Sequence, residues 1–380
     1  MLYVSNFESD PTKSFTQVAM HNIKALQQQN VNFEIRSLNN VIHWSQFQDW
    51  IQELNPYFSD AQSDNMSAIV HLLPQDLNST FYKGKTTSIA YTTFETTLMV
   101  KWIVDALNKN YKGMIVPSEF NKQALIASGA EIPIEVVHHC LHPMYLNDVP
   151  SPAEREEDTY IFGYIGSFNA RKNPRAVLDT YLKTFPKGSN TRLLIKTYRA
   201  GDLESYIKSV CGENRDDVWI YDGQWTEQQM LWAYSMIDCF VSAHKGEGFG
   251  LALAQSAALG KPVIYTDFSA PTEWLSEDKG HYPVRCTVES VNSEDVTAQY
   301  AVAYDSSLEW ATIDLEHLAE RMQFVVDNNV RTGFNKEDLA SFREMLSWKT
   351  IGDNFVKAYE AIFKAPILRK EISNGEEKSI

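Results

Sequence analysis

Short apolar runs that alternate with stretches of helical periodicity constrain this chain more than any other feature. LYVSNF (2–7), NFEIRSL (32–38), SAIVHLL (67–73), SIAYTT (88–93) and GMIVPS (113–118) each end in polar residues. A helical pattern, FTQVAMHNIKALQQQ, follows the first of them. EVVHHCL (135–141) reads as the last strand of this half. Strands separated by helices predict parallel βαβ units. NDVPSPAEREEDT (147–159) then combines two prolines with a charge run and no apolar periodicity, the composition of a linker. Beyond it YIFGYIGSF (160–168) opens a second series, continued by RLLIKTY (192–198), VWIYDG (218–223), IDCFVSA (237–243) and KPVIYTD (261–267). The pattern predicts an α/β protein of two Rossmann-like, doubly wound domains with a cleft between them. The first domain is placed at 1–148, the linker at 149–159 and the second domain at 160–346. Helical spacing at 317–328 and 348–364 predicts two further helices. The segment 347–366 is expected to be a closing helix, and 367–380 a frayed tail.

Length and composition agree with this reading. A chain of 380 residues with 44% hydrophobic residues is too long for one core and has ample apolar surface for two. No apolar run approaches the roughly 20 residues that span a bilayer, and the N-terminus lacks the basic-then-apolar pattern of a signal peptide. Cys140, Cys211, Cys239 and Cys286 are scattered without metal-ligand spacing, which fits buried free thiols and a cytoplasmic setting. A net charge of −15 opposes docking on nucleic acid or anionic lipid. Arg36 is the single arginine up to Asp148.

The chemistry concentrates in HKGEGFGLALAQSAALGKPVIYTD (244–267). A strand ends near Ala243, a loop carries Glu247, Gly248, Phe249 and Gly250, and a helix is expected from Leu251 to Leu259. Gly260 stops it. Glycines at a loop–helix junction let backbone approach a ligand, and the free amides and helix dipole favour phosphate there. Gln255, one turn into the helix on the side of Leu251, can reach such a ligand. A glycine-rich turn opening a core helix would look similar, but Glu247 has no apolar task in it. A second stretch, GYIGSFNARKNPRAVLDTYLKTF (163–185), places Gly166 and Ser167 at a strand end and Arg171-Lys172 before an amphipathic helix. Cations at a helix N-terminus are unfavourable and need a partner.

EGFGLALAQSAALGKPVI resembles the signature of the retaining glycosyltransferases of family 4, which have the GT-B fold and in which one glutamate is followed eight residues later by another. The resemblance implies a sugar transferred from a nucleotide-diphosphate-sugar to an acceptor hydroxyl, with retention of anomeric configuration. It makes Glu247 the glutamate at the donor sugar and phosphate, with Gly248, Phe249 and Gly250 donating amides and Leu251 also placed in the donor site. Gln255 stands where the second glutamate would bind the ribose. Glutamine can still accept from a ribose hydroxyl, without the charge-assisted bond. Arg171 and Lys172 match the basic pair that neutralises the departing diphosphate. Ser167 replaces an arginine found there in many members, so the pair is expected to act with help from Lys13 or Lys196. VPSEF (116–120) and SWKTIGDNFVKAYEAI (347–362) resemble, less specifically, the end of the first domain and the closing helix.

On the acceptor side the candidates are His71 and Glu95, both at C-terminal strand ends, together with Lys13. His138, His139 and His142 suit interdomain packing rather than a zinc site. The resemblance implies a front-face mechanism in which the leaving phosphate helps to take the acceptor proton. It implies no cofactor beyond the nucleotide-sugar co-substrate. No aspartate cluster of the DxD kind is present, which points to a metal-independent enzyme. Asp267 and Glu273 are expected to act as a helix cap and a donor-side contact. The acceptor is left open among a glycan, a lipid-linked sugar, a protein and a small molecule. Alternatives are a non-catalytic relative that binds a partner or glycan, a transferase acting on hydroxylated DNA, and a nucleotide-sugar epimerase.

Overall fold

A computed structural model describes residues 1–7, 14–38, 49–59, 66–78, 88–150, 152, 158–198, 201–296 and 300–370. The first sheet is built from β1 (Leu2–Ser5), β2 (Glu34–Ser37), β3 (Ala68–His71), β4 (Ser88–Tyr91), β5 (Gly113–Val116) and β6 (Ile134–Val136). Its order is β2-β1-β3-β4-β5-β6, and every pairing is parallel. Helices α1 (Ser14–Gln28), α2 (Asp49–Gln52), α3 (Lys101–Asn110) and α4 (Glu119–Ala127) accompany it. β1, β3, β4 and β5 are buried along their whole length, which is why they read as unbroken apolar runs.

The second sheet contains β7 (Tyr160–Ile165), β8 (Thr191–Thr197), β9 (Val218–Asp222), β10 (Cys239–Ser242), β11 (Val263–Thr266) and β12 (Tyr282–Val284). Its order is β12-β11-β10-β7-β8-β9, again parallel. α5 (Pro174–Thr184), α6 (Leu203–Cys211), α7 (Glu227–Met236) and α8 (Leu251–Ala258) connect these strands. In both sheets the order reverses beside the first strand, β1 or β7. Such a switch point opens a crevice at the carboxyl ends of the strands. The loops after β7 and β10 therefore share one crevice.

The chain then leaves the sheet as an antiparallel hairpin, β13 (Cys286–Ser290) and β14 (Glu309–Ile313). This arm departs from the expected second domain. Its Val291, Ala303, Leu308 and Trp310 join the apolar cluster of Phe94, Met99 and Val100 in the first half. The arm is tied down by Thr97, whose amide donates to the Glu309 carbonyl at 3.0 Å, and by Trp102, whose indole donates to the Val302 carbonyl at 3.2 Å. Helices α9 (Leu315–Asp327), α10 (Lys336–Met345) and α11 (Trp348–Phe363) complete the chain. Ile351, Phe355 and Val356 of α11 pack into the cluster of β1 and α1. Gly352 makes that contact possible, because a Cβ there would overlap the Ala25 carbonyl.

Candidate functional site

β7 ends at Ile165 and the chain turns through Gly166 and the exposed Ser167. A Cβ on Gly166 would stand 2.8 Å from the Tyr164 hydroxyl, which donates to the Ser167 carbonyl at 3.0 Å. The Lys172 amide donates to Asn169 Oδ1 at 2.9 Å, and Asn173 adopts a left-handed conformation as it enters α5. Arg171 and Lys172 thus sit at the positive end of a helix, as the sequence places them, and the partner they require is present. Lys172 Nζ donates to Glu247 Oε1, and Arg171 Nη1 lies 3.6 Å from Glu247 Oε2. Arg171 Nη1 also donates to the Gly246 carbonyl at 2.8 Å. Its other terminal nitrogen, Nη2, lies 3.3 Å from Glu95 Oε1, across the two halves of the molecule.

The electrostatics follow from burial and these contacts. Burial would raise the Glu247 carboxyl, but Lys172 and Arg171 outweigh it and hold the group at about 2. Burial lowers the Lys172 ammonium from its ordinary value, with Glu247 opposing. For Arg171 burial is overcome by Glu95 and Glu247, so its guanidinium is held more firmly protonated than usual. His244, two residues beyond the end of β10, is pushed down to about 4 by burial and stands 3.0 Å from the Ser242 hydroxyl.

The Glu247 loop is anchored from behind. Its amide donates to Ser269 Oγ at 2.9 Å, and its carbonyl accepts from the Ala270 amide at 3.2 Å. Gly246 and Gly248 press on the first half so closely that a Cβ on either would overlap Glu95 or Thr93. Gly250 has φ 89° and opens α8 with no side-chain cap among the described residues, so the first-turn amides lack a side-chain acceptor there. The Phe249 ring packs at 5.0 Å on His139 and 5.9 Å on Trp274. His138 also reaches this ring, at 5.8 Å, while His142 meets Trp348 of α11. These histidines join the two halves. Leu251 and Gln255 are half-buried on α8, and the Gln255 amide oxygen accepts from the Tyr234 hydroxyl at 2.8 Å.

The remaining candidates are placed differently. His71 is buried, with Nδ1 3.0 Å from the Tyr3 hydroxyl and its ring 4.2 Å from Phe15 and 4.4 Å from Tyr91. Burial holds it well below the usual histidine value, hence neutral. Lys13 lies outside the described residues. Lys196, expected to help at the diphosphate, instead donates to the Thr197 and Gly223 carbonyls at 2.9 and 2.5 Å and lies over Trp225. Trp225 lines a shallow cavity of about 450 Å³ with Tyr221, Gln228, Gln229 and Trp232, and none of Arg171, Lys172 and Glu247 borders it. Glu273 acts as a helix cap, on α4 of the opposite half.

Two residues at the site carry no sequence motif. Ser269 supports the Glu247 amide, and Tyr304 on the arm donates its hydroxyl to Glu95 Oε2. Their sequence neighbourhoods contain no spacing that could have singled them out.

Residues 148–300 match the family model described as glycosyl transferases group 1, which is less than half of the chain. The sequence matches no curated protein. Among solved structures the chain is similar to Anabaena HepE in complex with UDP and glucose, at TM-score 0.67 and 8% identity, covering 95% of this chain and 99% of that one. Sucrose-phosphate synthase from Thermosynechococcus elongatus superposes at TM-score 0.66 and 12% identity, covering 96% of this chain and 99% of that one. TarM superposes at TM-score 0.55 and 14% identity over 80% of this chain, which spans 56% of TarM's length. The fold is of the GT-B type, two Rossmann-like parallel sheets with their helices. Among the described residues no helix is long and apolar enough to cross a membrane.

Proposed function

We propose that this protein is a glycosyltransferase that moves a sugar from a nucleotide-diphosphate donor to an acceptor hydroxyl, with retention of configuration and without a metal ion. The observation that carries the reading is the Arg171–Lys172–Glu247 constellation at the switch point of the second sheet. A diphosphate leaving group develops negative charge, and two cations beside the uncapped start of α8 can stabilise it. Glu247, ionised and held rigidly, positions the ammonium of Lys172 and presents a carboxylate to the donor sugar. The match to group 1 glycosyl transferases over 148–300 spans all of these residues, and HepE, of similar fold, is described as binding UDP and glucose. Gln255 is the proposed ribose contact, with the Tyr234 hydroxyl fixing its amide so that the NH₂ faces away from it. Domain one, 1–148, is the proposed acceptor side.

Thermal-shift screening of UDP-, GDP- and ADP-sugars tests the donor class, since a ligand at 100 times its dissociation constant adds about 2.7 kcal/mol. Proton NMR of the product's anomeric centre then tests retention. An inverted product would reject the front-face mechanism while leaving sugar transfer intact.

A further inference from the structure

Glycosyl transfer accounts for the two cations and for Glu247 but gives no task to the pair that meets them from the other side. Glu95 follows β4 in the first half, and Tyr304 belongs to the arm between β13 and β14. The Tyr304 hydroxyl donates to Glu95 Oε2, while Glu95 Oε1 lies 3.3 Å from Arg171 Nη2. Arg171 is therefore held between two carboxylates, Glu95 and Glu247, that come from opposite halves.

The formal charges of Arg171 and Lys172 cancel those of Glu95 and Glu247. A site so neutralised has little attraction for a diphosphate, and one carboxylate must yield before the guanidinium can face a phosphate. Glu247 is poorly placed to yield. It is 4% exposed, both of its oxygens meet cations, and its backbone is fixed by Ser269 and Ala270. Glu95 is half-buried and is held through the end of its side chain, by Arg171 and by the Tyr304 hydroxyl.

We infer that Glu95 is an internal counter-ion to Arg171 which the donor's diphosphate displaces, with the Tyr304 hydroxyl setting how firmly it is held. The inference rests on the nucleotide-sugar reading and adds a competition to it. Donor binding exchanges a carboxylate for a phosphate on Arg171 and detaches Glu95 from it. Re-forming the pair after transfer opposes retention of the leaving nucleoside diphosphate. Both residues are positioning residues, acting through Arg171.

Calorimetric titration of UDP, GDP and ADP into the wild type, Glu95→Gln and Tyr304→Phe tests this. Glu95→Gln keeps the shape and removes the competing charge, so its nucleotide should bind about tenfold tighter, equivalent to removing about 1.4 kcal/mol of competition. Tyr304→Phe should tighten binding in the same direction by a smaller factor. A purely structural role for either residue would weaken binding instead, and unchanged or weaker binding overturns the inference. Should Glu95→Gln fail to fold, the direction of change in Tyr304→Phe decides. If none of the three nucleotides binds any of the proteins, the nucleotide-sugar reading itself fails and the inference falls with it. Wild-type binding without tightening in the variants rejects the inference alone.

Discussion

The carboxylate of Glu273 in the second half meets the backbone of Phe120 in the first, accepting its amide at 2.6 Å and that of Glu119 at 3.0 Å. These are amides at the start of α4, whose own N-cap, Ser118, accepts from the Asn121 amide at 3.2 Å. A helix start has four orphan donors and a positive dipole end, so a carboxylate there satisfies both. The residue expected from sequence at the donor thus serves to join the two halves.

Glu273→Ala should cost roughly 1 kcal/mol, the usual worth of a lost cap. On a chain of this size that is a fall in Tm of about 2 °C, read by calorimetry or circular dichroism. Glu273→Gln, which retains an acceptor oxygen, should lose less. Equal melting of all three proteins would remove the cap from the account.

Lys172→Ala should lower turnover on the order of 10²-fold or more with an intact fold, because the lost ammonium is proposed to stabilise charge that develops as the diphosphate departs. Steady-state kinetics beside a thermal melt separates this from unfolding. Near wild-type turnover would take Lys172 out of the mechanism.

Gln255→Leu removes the amide that Tyr234 orients and should weaken nucleotide binding by roughly 1–3 kcal/mol. Gln255→Glu keeps an acceptor for the Tyr234 hydroxyl and should preserve or improve affinity. Calorimetry on the three proteins gives the answer, and equal affinities would mean that the ribose is held elsewhere.

The parallel sheets were legible because strands buried on both faces read as continuous apolar runs bounded by polar residues. Glu247 stood out for a different reason: glycines that permit close approach sit around a glutamate with no apolar partner. Elsewhere the signal was missing. β13, CTVES, is almost wholly exposed and so shows no apolar alternation, which hid the arm. The run 135–141 reads as one strand, yet β6 stops at Val136. Beyond it His138 bonds the Pro117 carbonyl and His139 the Tyr91 hydroxyl, so side chains fix the path that a ladder would otherwise fix. Glu95 and Tyr304 are 209 residues apart, and no local pattern relates them.

Stability should depend on pH through Glu247. Its folded value of about 2 lies below the ordinary carboxylate value, so the ionised form contributes stability at neutral pH. That contribution is complete above the unfolded value, about 4.3, and drains away as pH falls from there through about 2. Melting curves of the wild type and Glu247→Gln between pH 7 and pH 2 should therefore converge on acidification. A gap that stays constant would show that Lys172 and Arg171 do not hold the carboxylate ionised.

Arg171 and Lys172, rather than a metal ion, are proposed to receive the charge of a departing nucleoside diphosphate. The direct measurement is release of UDP, GDP or ADP from the corresponding sugar donors in the presence of EDTA, for the wild type and Lys172→Ala. The wild type should release nucleoside diphosphate from at least one donor, unchanged by EDTA, and Lys172→Ala should release it roughly 10²-fold more slowly. Release that EDTA abolishes and Mn²⁺ restores, or that Lys172→Ala leaves at the wild-type rate, would contradict this role.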